Sequence, residues 1–186
     1  MQRRALLITA SVWPWPARAD DPVAARLAAG GVVIAFRHSL APGTYDPPGF
    51  RLDDCSTQRN LNDEGREQAQ RIGAWFRERQ LAPAVVRSSP WCRCVDTARL
   101  AFNRAETWPA LGSPRAGTEA VNDAALQELR AALAAVPRQR GRFEVWVTHQ
   151  FVLTALVGGG VASGEGLLLQ AGADRKPTLG GRLMVA

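Results

Sequence analysis

Three short apolar runs constrain this chain more than any other feature: VVIAF at 32–36, AVVRSS at 84–89 and FEVWVTH at 143–149. Runs of this length, rich in β-branched residues and bounded by turn formers or helix starts, read as strands buried on both faces. Segments with helical periodicity lie between them. Pro22 to Ala29 is a short Ala-rich helix closed by Gly30-Gly31. Asn62 caps a helix over 63–79, with acids in its first turn and Ala69, Ile72 and Phe76 on its core face. SPWCRCVDTARLAF gives a third helix, with Pro90 suited to its first position. Asn122 to Val136 is a fourth, and Phe151 to Val157 a fifth that stops at Gly158-Gly159-Gly160. LLLQ (167–170) and RLMV (182–185) read as closing strands, while 41–60 and 105–120 are irregular. Strands alternating with helices predict an α/β fold: a three-layer α/β/α sandwich around a mainly parallel central sheet.

In open sheets of this kind, functional groups gather just beyond the carboxyl ends of the strands. Here the first run ends in Arg37-His38, the second leads through Ser88-Ser89-Pro90 to Arg93, and the third ends in Thr148-His149. The chain has only two histidines, and each sits at such an end. Two imidazoles and two guanidiniums on one sheet edge suit an anion with several oxygens, because guanidinium forks match phosphate in a bidentate way. An imidazole with one free nitrogen can attack phosphorus and hold the group covalently, while the cations neutralise the charge spreading over its oxygens. That chemistry needs no metal and no cofactor.

The N-terminus has a different character. MQRRALLITASVWPWPARAD places two arginines before a short apolar stretch and ends in Ala17-Arg18-Ala19, the layout of a secretory signal peptide over 1–19. One domain over 20–186 follows, which predicts a periplasmic or secreted protein with no stable membrane insertion once the signal is cleaved. Cleavage removes Arg3, Arg4 and Arg18, leaving 20 basic residues against 17 acidic ones, so the formal charge falls from +6 to +3. The arginines are dispersed and not interleaved with aromatics, which excludes nucleic acid as a partner. A modest positive charge with a local focus fits a phosphorylated small molecule, glycan or protein. Ser88 and Ser89 lack the G-x-S-x-G elbow of a serine hydrolase.

Three cysteines allow three pairings. Cys94 falls on the apolar stripe Trp91, Cys94, Val95, Ala98 and Phe102 and reads as a core thiol. Cys92 lies on another face, where a bridge to Cys55 is expected. Zinc is excluded, because three cysteines without matching His spacing do not make a site.

FRHS, SSPWCRCVDTA and VTHQ, in this order and spacing, resemble the histidine phosphatase superfamily, the phosphoglycerate-mutase-like proteins. The resemblance spans about 30 to 170 and implies that fold. It implies that His38 is the phosphorylated nucleophile and that Arg37, Arg93 and His149 bind the phosphoryl group. The small size is similar to the compact branch with phosphohistidine phosphatases and exported lipopolysaccharide-core phosphatases, so phosphatase is favoured over mutase. The family usually has Gly after the catalytic His; Ser39 stands here, and two readings are open, that its hydroxyl donates to the phosphate or that its bulk slows the reaction. Family members acting on alkyl phosphates use a Glu some 25 residues beyond the second Arg, which points to Glu119, with Asp46, Asp53 and Asp54 as competitors. The remaining alternative is an exported anion-binding protein whose phosphatase pocket has degenerated. Arg59 and Arg66 read as solvated, although Arg59 lies in the loop on the active side, where it could steer substrate.

Overall fold

The computed structural model describes residues 21–114 and 121–186. The segment read as a signal peptide and Glu119 lie outside the described residues. In chain order the elements are α1 (Pro22–Ala29), β1 (Val33–Arg37), α2 (Asp63–Glu78), β2 (Val85–Ser88), α3 (Cys92–Phe102), β3 (Glu106–Thr107), α4 (Asp123–Ala135), β4 (Glu144–Thr148), α5 (Gln150–Val157), β5 (Gly166–Ala171) and β6 (Pro177–Leu183). The strands form one sheet in the order β3-β2-β4-β1-β5-β6. β3, β2, β4 and β1 are parallel, and β5 and β6 close the far side antiparallel.

The unbroken apolar runs follow from having a helical layer on each face. Along β1, Ile34 and Phe36 join the core with residues of α1, α2 and α3, whereas Val33 and Ala35 join the one with α4 and α5. β4 alternates likewise, Val145 and Val147 to one side and Trp146 to the other. A strand with no solvent face has no polar position to alternate with, which is why VVIAF is apolar throughout.

Local chemistry sets the helix starts. Asp21 and Asn62 cap α1 and α2 by accepting from backbone N–H groups in the first turn. Helix α3 begins later than its sequence suggests. Trp91, in an extended conformation, is its N-cap, so Pro90 precedes the helix instead of opening it. The last strand also differs from expectation. It runs over 177–183, pairs from Ala171↔Pro177 to Gly166↔Leu183 and takes in Gly180 and Gly181, which carry no side-chain signal for a strand. A two-residue strand, β3, lies inside the stretch expected to be irregular. It pairs with β2 through Arg87↔Glu106 and Ser88↔Thr107.

The long loop after β1 is tied down at both ends. Near its start, Leu40 packs against α2 at Gly65, where a Cβ would stand 2.0 Å from the Leu40 carbonyl oxygen. Only glycine admits that approach. Near its end, Cys55 is disulfide-bonded to Cys92 at the start of α3, and Cys94 is a buried free thiol, both as expected. The bridge closes a loop of sequence separation 37. On chain entropy alone such a crosslink stabilises by about 4 kcal/mol. The double variant Cys55→Ser/Cys92→Ser is therefore expected to unfold at distinctly lower urea concentration, with a loss of up to about 4 kcal/mol. An unchanged midpoint would show that the native contacts hold the loop without the crosslink.

Candidate active site

The parallel register between β1 and β4 assembles the centre of the site. Arg37 pairs with Thr148, so the next residues, His38 and His149, emerge side by side beyond the strand ends. The His38 backbone N–H donates to the Thr148 carbonyl (2.9 Å), and the two rings lie 5.5 Å apart, centroid to centroid. On the other side of β4, Ser89 N–H donates to Val147 O (2.8 Å), and the chain then turns into α3, which carries Arg93 inward. Arg37, His38, Arg93 and His149 all line one cavity of about 270 Å³. The four residues named from the strand ends are brought together.

His38 is almost fully buried, at 2% exposure. Its Nδ1 lies 2.8 Å from the Ser39 carbonyl oxygen. A carbonyl only accepts, so Nδ1 carries the proton and Nε2 keeps its lone pair. Burial lowers the pKa of this ring to about 3, with Arg93, Arg59 and Arg37 adding to the effect and the Ser39 carbonyl opposing it. The ring is thus neutral and nucleophilic well below neutrality. His149 is also pushed well below its ordinary value, first by burial and then by Arg93. Arg93 Nη2 lies 3.4 Å from its Nδ1. A guanidinium only donates, so the His149 proton sits on Nε2 and Ser89 Oγ accepts it at 2.8 Å.

Each guanidinium is fixed along one edge. Arg37 Nη1 donates to Gln150 Oε1 (2.9 Å) and to Val161 O (2.7 Å). Arg93 Nη1 donates to Asp46 Oδ1 at 2.8 Å, a pair whose side chains are 4% and 7% exposed. Burial and the charge of Arg93 lower the pKa of Arg37. A third guanidinium, Arg59, lines the same cavity and is half-buried, not fully solvated as its sequence context suggested. It donates to the carbonyls of Ala41 and Gly43, and burial together with Arg93 brings its pKa down to about 10. Arg37 Nε, Arg59 Nε and Arg93 Nε are buried without a protein partner among the described residues. Three crowded cations with hydrogens to spare make a strong anion field.

Ser39 is not among the residues lining the cavity, and its hydroxyl is buried without a partner among the described residues. Its backbone does the positioning instead. The Ser39 N–H donates to Thr97 Oγ1 (3.0 Å), and the Thr97 hydroxyl donates to Arg93 O (2.7 Å). Of the three loop acids, Asp46 lines the cavity, whereas Asp53 and Asp54 pair with Arg51 near the surface. Sequence reading missed Gln150, which follows His149 directly and pins Arg37. It also missed Tyr45 and Phe151, aromatics 59% and 41% exposed in the cavity wall. Cys94 lies 3.4 Å from His149 Nε2, but burial pushes its pKa up to about 12, so it stays a neutral thiol.

The two buried neutral histidines make stability depend on pH. Their folded-state pKa values lie below the unfolded value near 6.5, so the unfolded chain binds more protons as pH falls through that value. Stability from this source is fully present above pH 6.5 and declines toward the folded value of about 3 for His38. Between pH 7.5 and pH 5, above most carboxylate titration, each histidine is expected to take about 2 kcal/mol from the unfolding free energy. Urea unfolding at both pH values tests this, and His38→Gln should remove roughly half of the slope. A pH-independent midpoint would mean that neither ring is held neutral in the fold.

The model of the histidine phosphatase superfamily (branch 1) matches residues 54–115. No curated protein matches the sequence. Among solved structures, the protein histidine phosphatase SixA complexed with tungstate superposes with a TM-score of 0.57 at 15% identity, over 82% of this chain and 96% of that one. A putative phosphohistidine phosphatase SixA from Agrobacterium tumefaciens gives 0.54 at 22% identity, over 82% and 97%. A phosphoserine phosphatase variant from Entamoeba histolytica, in complex with phosphoserine, gives 0.58 at 11% identity, over 81% and 95%. The chain therefore shares the histidine phosphatase fold, as the strand-end motifs implied.

Proposed function

We propose that this chain, which matches the histidine phosphatase superfamily through its middle third and in its fold, is a metal-independent phosphatase working through a phosphohistidine on His38. One observation carries the reading. His38 presents an unprotonated Nε2, fixed by the carbonyl on Nδ1, to a cavity ringed by Arg37, Arg59, Arg93 and His149. In the first step Nε2 attacks phosphorus, a P–N bond forms, and the P–O or P–N bond to the leaving group breaks with its electron pair. The leaving group takes a proton from solvent or from an acid; Glu119 remains the family-like candidate for that acid. In the second step water attacks phosphorus, the P–N bond to His38 breaks, and inorganic phosphate leaves with the ring neutral again. The guanidiniums neutralise the equatorial oxygens in both transition states, typically worth about a hundredfold or more per group.

The substrate class is a phosphomonoester or phosphoamidate on a small molecule, glycan or protein. The Cys55–Cys92 bridge supports placing the protein in an oxidising compartment, in keeping with a periplasmic or secreted location. Hydrolysis of an aryl phosphate that survives EDTA, with an acid-labile and base-stable phosphate on the quenched enzyme, is the expected result. A base-labile label would remove His38 from the nucleophile's role. Vanadate binding without any turnover would favour the anion-binding alternative.

A further inference from the structure

The one carboxylate among the described residues lining the cavity, Asp46, is puzzling in a site made for a dianion. It is held from three sides. Oδ1 accepts from Arg93 Nη1 (2.8 Å) and from the Arg59 backbone N–H (2.9 Å), and Oδ2 accepts from Trp91 Nε1 (3.1 Å). Three donors on two oxygens fix the carboxylate and leave it the part of an acceptor. It claims the Nη1 edge of Arg93, and the Nη2 edge is then left toward His149 Nδ1.

Two effects follow from elementary electrostatics. A guanidinium clamped on one edge presents the other in a set direction, which lowers the cost of arranging it around a transition state. The same carboxylate offsets the positive field felt by any anion in the cavity, so a ground-state anion such as inorganic phosphate binds less tightly. A transition state that Arg93 grips in the right orientation loses less than the product does.

We propose that Asp46 is a positioning residue that orients Arg93 and, by partly neutralising it, keeps the product phosphate from lingering. This rests on the phosphatase reading of the cavity. It assigns Asp46 a part other than proton donor to the leaving group.

Binding and turnover measured on Asp46→Asn separate these roles. Asparagine keeps the size and removes the charge. The expected result is inorganic phosphate and vanadate binding by calorimetry about tenfold tighter than in the wild type. kcat should fall about tenfold or more because Arg93 is no longer held. The fall should be equal for an aryl phosphate and an alkyl phosphate, since the leaving group is not involved. Phosphate affinity that is unchanged or weaker would overturn the proposal, because a merely structural part predicts that. A loss confined to the alkyl phosphate would also overturn it, making Asp46 the proton donor. Should Asp46→Asn not fold, Asp46→Ser removes the same charge with a smaller polar side chain. Phosphate affinity that tightens as expected for Asp46→Asn supports the proposal, and no shift refutes it. If the wild type binds neither phosphate nor vanadate, the phosphatase reading itself fails, whatever Asp46 does.

Discussion

His38→Ala is expected to lower turnover of any phosphate substrate by on the order of 10⁴-fold or more while the fold survives. The imidazole, thiol and hydroxyl nearest to His38 are not set to take over. His149 holds Arg93 on Nδ1 and its proton on Nε2, the Cys94 thiol is kept neutral by burial, and Ser39 Oγ lies away from the cavity lining. The substitution removes a buried ring, but it also removes one of the two buried histidines that oppose folding at mildly acid pH. The variant should therefore bind vanadate, show no phosphoenzyme on acid quench, and lose less stability than the wild type between pH 7.5 and pH 5. A variant with a few per cent of wild-type activity would mean that water is attacking directly and that the histidine only assists.

Arg93→Ala should carry the second large effect, because it acts on rate and stability together. Removing a preorganised donor from the developing charge costs on the order of 10²–10³ in kcat. The same change leaves Asp46 as a buried charge without its ion-pair partner, and breaking a buried pair from one side costs about 3–5 kcal/mol. The rate loss should be recovered only in small part by Arg93→Lys. An ammonium is a point charge and cannot span Asp46 and His149 at once, as the planar fork does. Kinetics paired with urea unfolding check both parts. A rate loss under tenfold with an unchanged midpoint would place Arg93 outside the charge-stabilising set.

How far the sequence reveals this molecule depends on which interactions are local. The strands are legible because a doubly covered strand must be apolar, and VVIAF and FEVWV have nothing else to be. The four residues at the strand ends are legible because polar groups ending such a run need a reason. The adjacency of β1 and β4 is not local. They are more than a hundred residues apart, and no pattern in either says which will be its neighbour. Asp46 could be no more than one of three loop acids, since its part depends on a chain reversal that brings it under Trp91 and Arg93. Arg59 looked solvated for the same reason: its burial comes from carbonyls of residues 41 and 43, folded over it by the loop. The Gly180-Gly181 segment of β6 is a strand by virtue of its partner, β5, and not by its own side chains.

The Arg37↔Thr148 pairing has a consequence for how such a chain can change its length. Side chains on a strand alternate with a period of two, so a slip of one residue moves every side chain to the opposite face. One residue inserted within 144–148 would turn His149 away from His38 and swap the two cores' contents on that strand at a stroke. One residue inserted at 137–142, before the ladder begins, would leave the register intact and disturb only the turn that Gly141 N–H and Arg142 O tie to Ala28 and Gly31. Related chains should vary freely in the connections and keep the strand β4 at constant length, a tolerance map that a library of single-residue insertions can read directly.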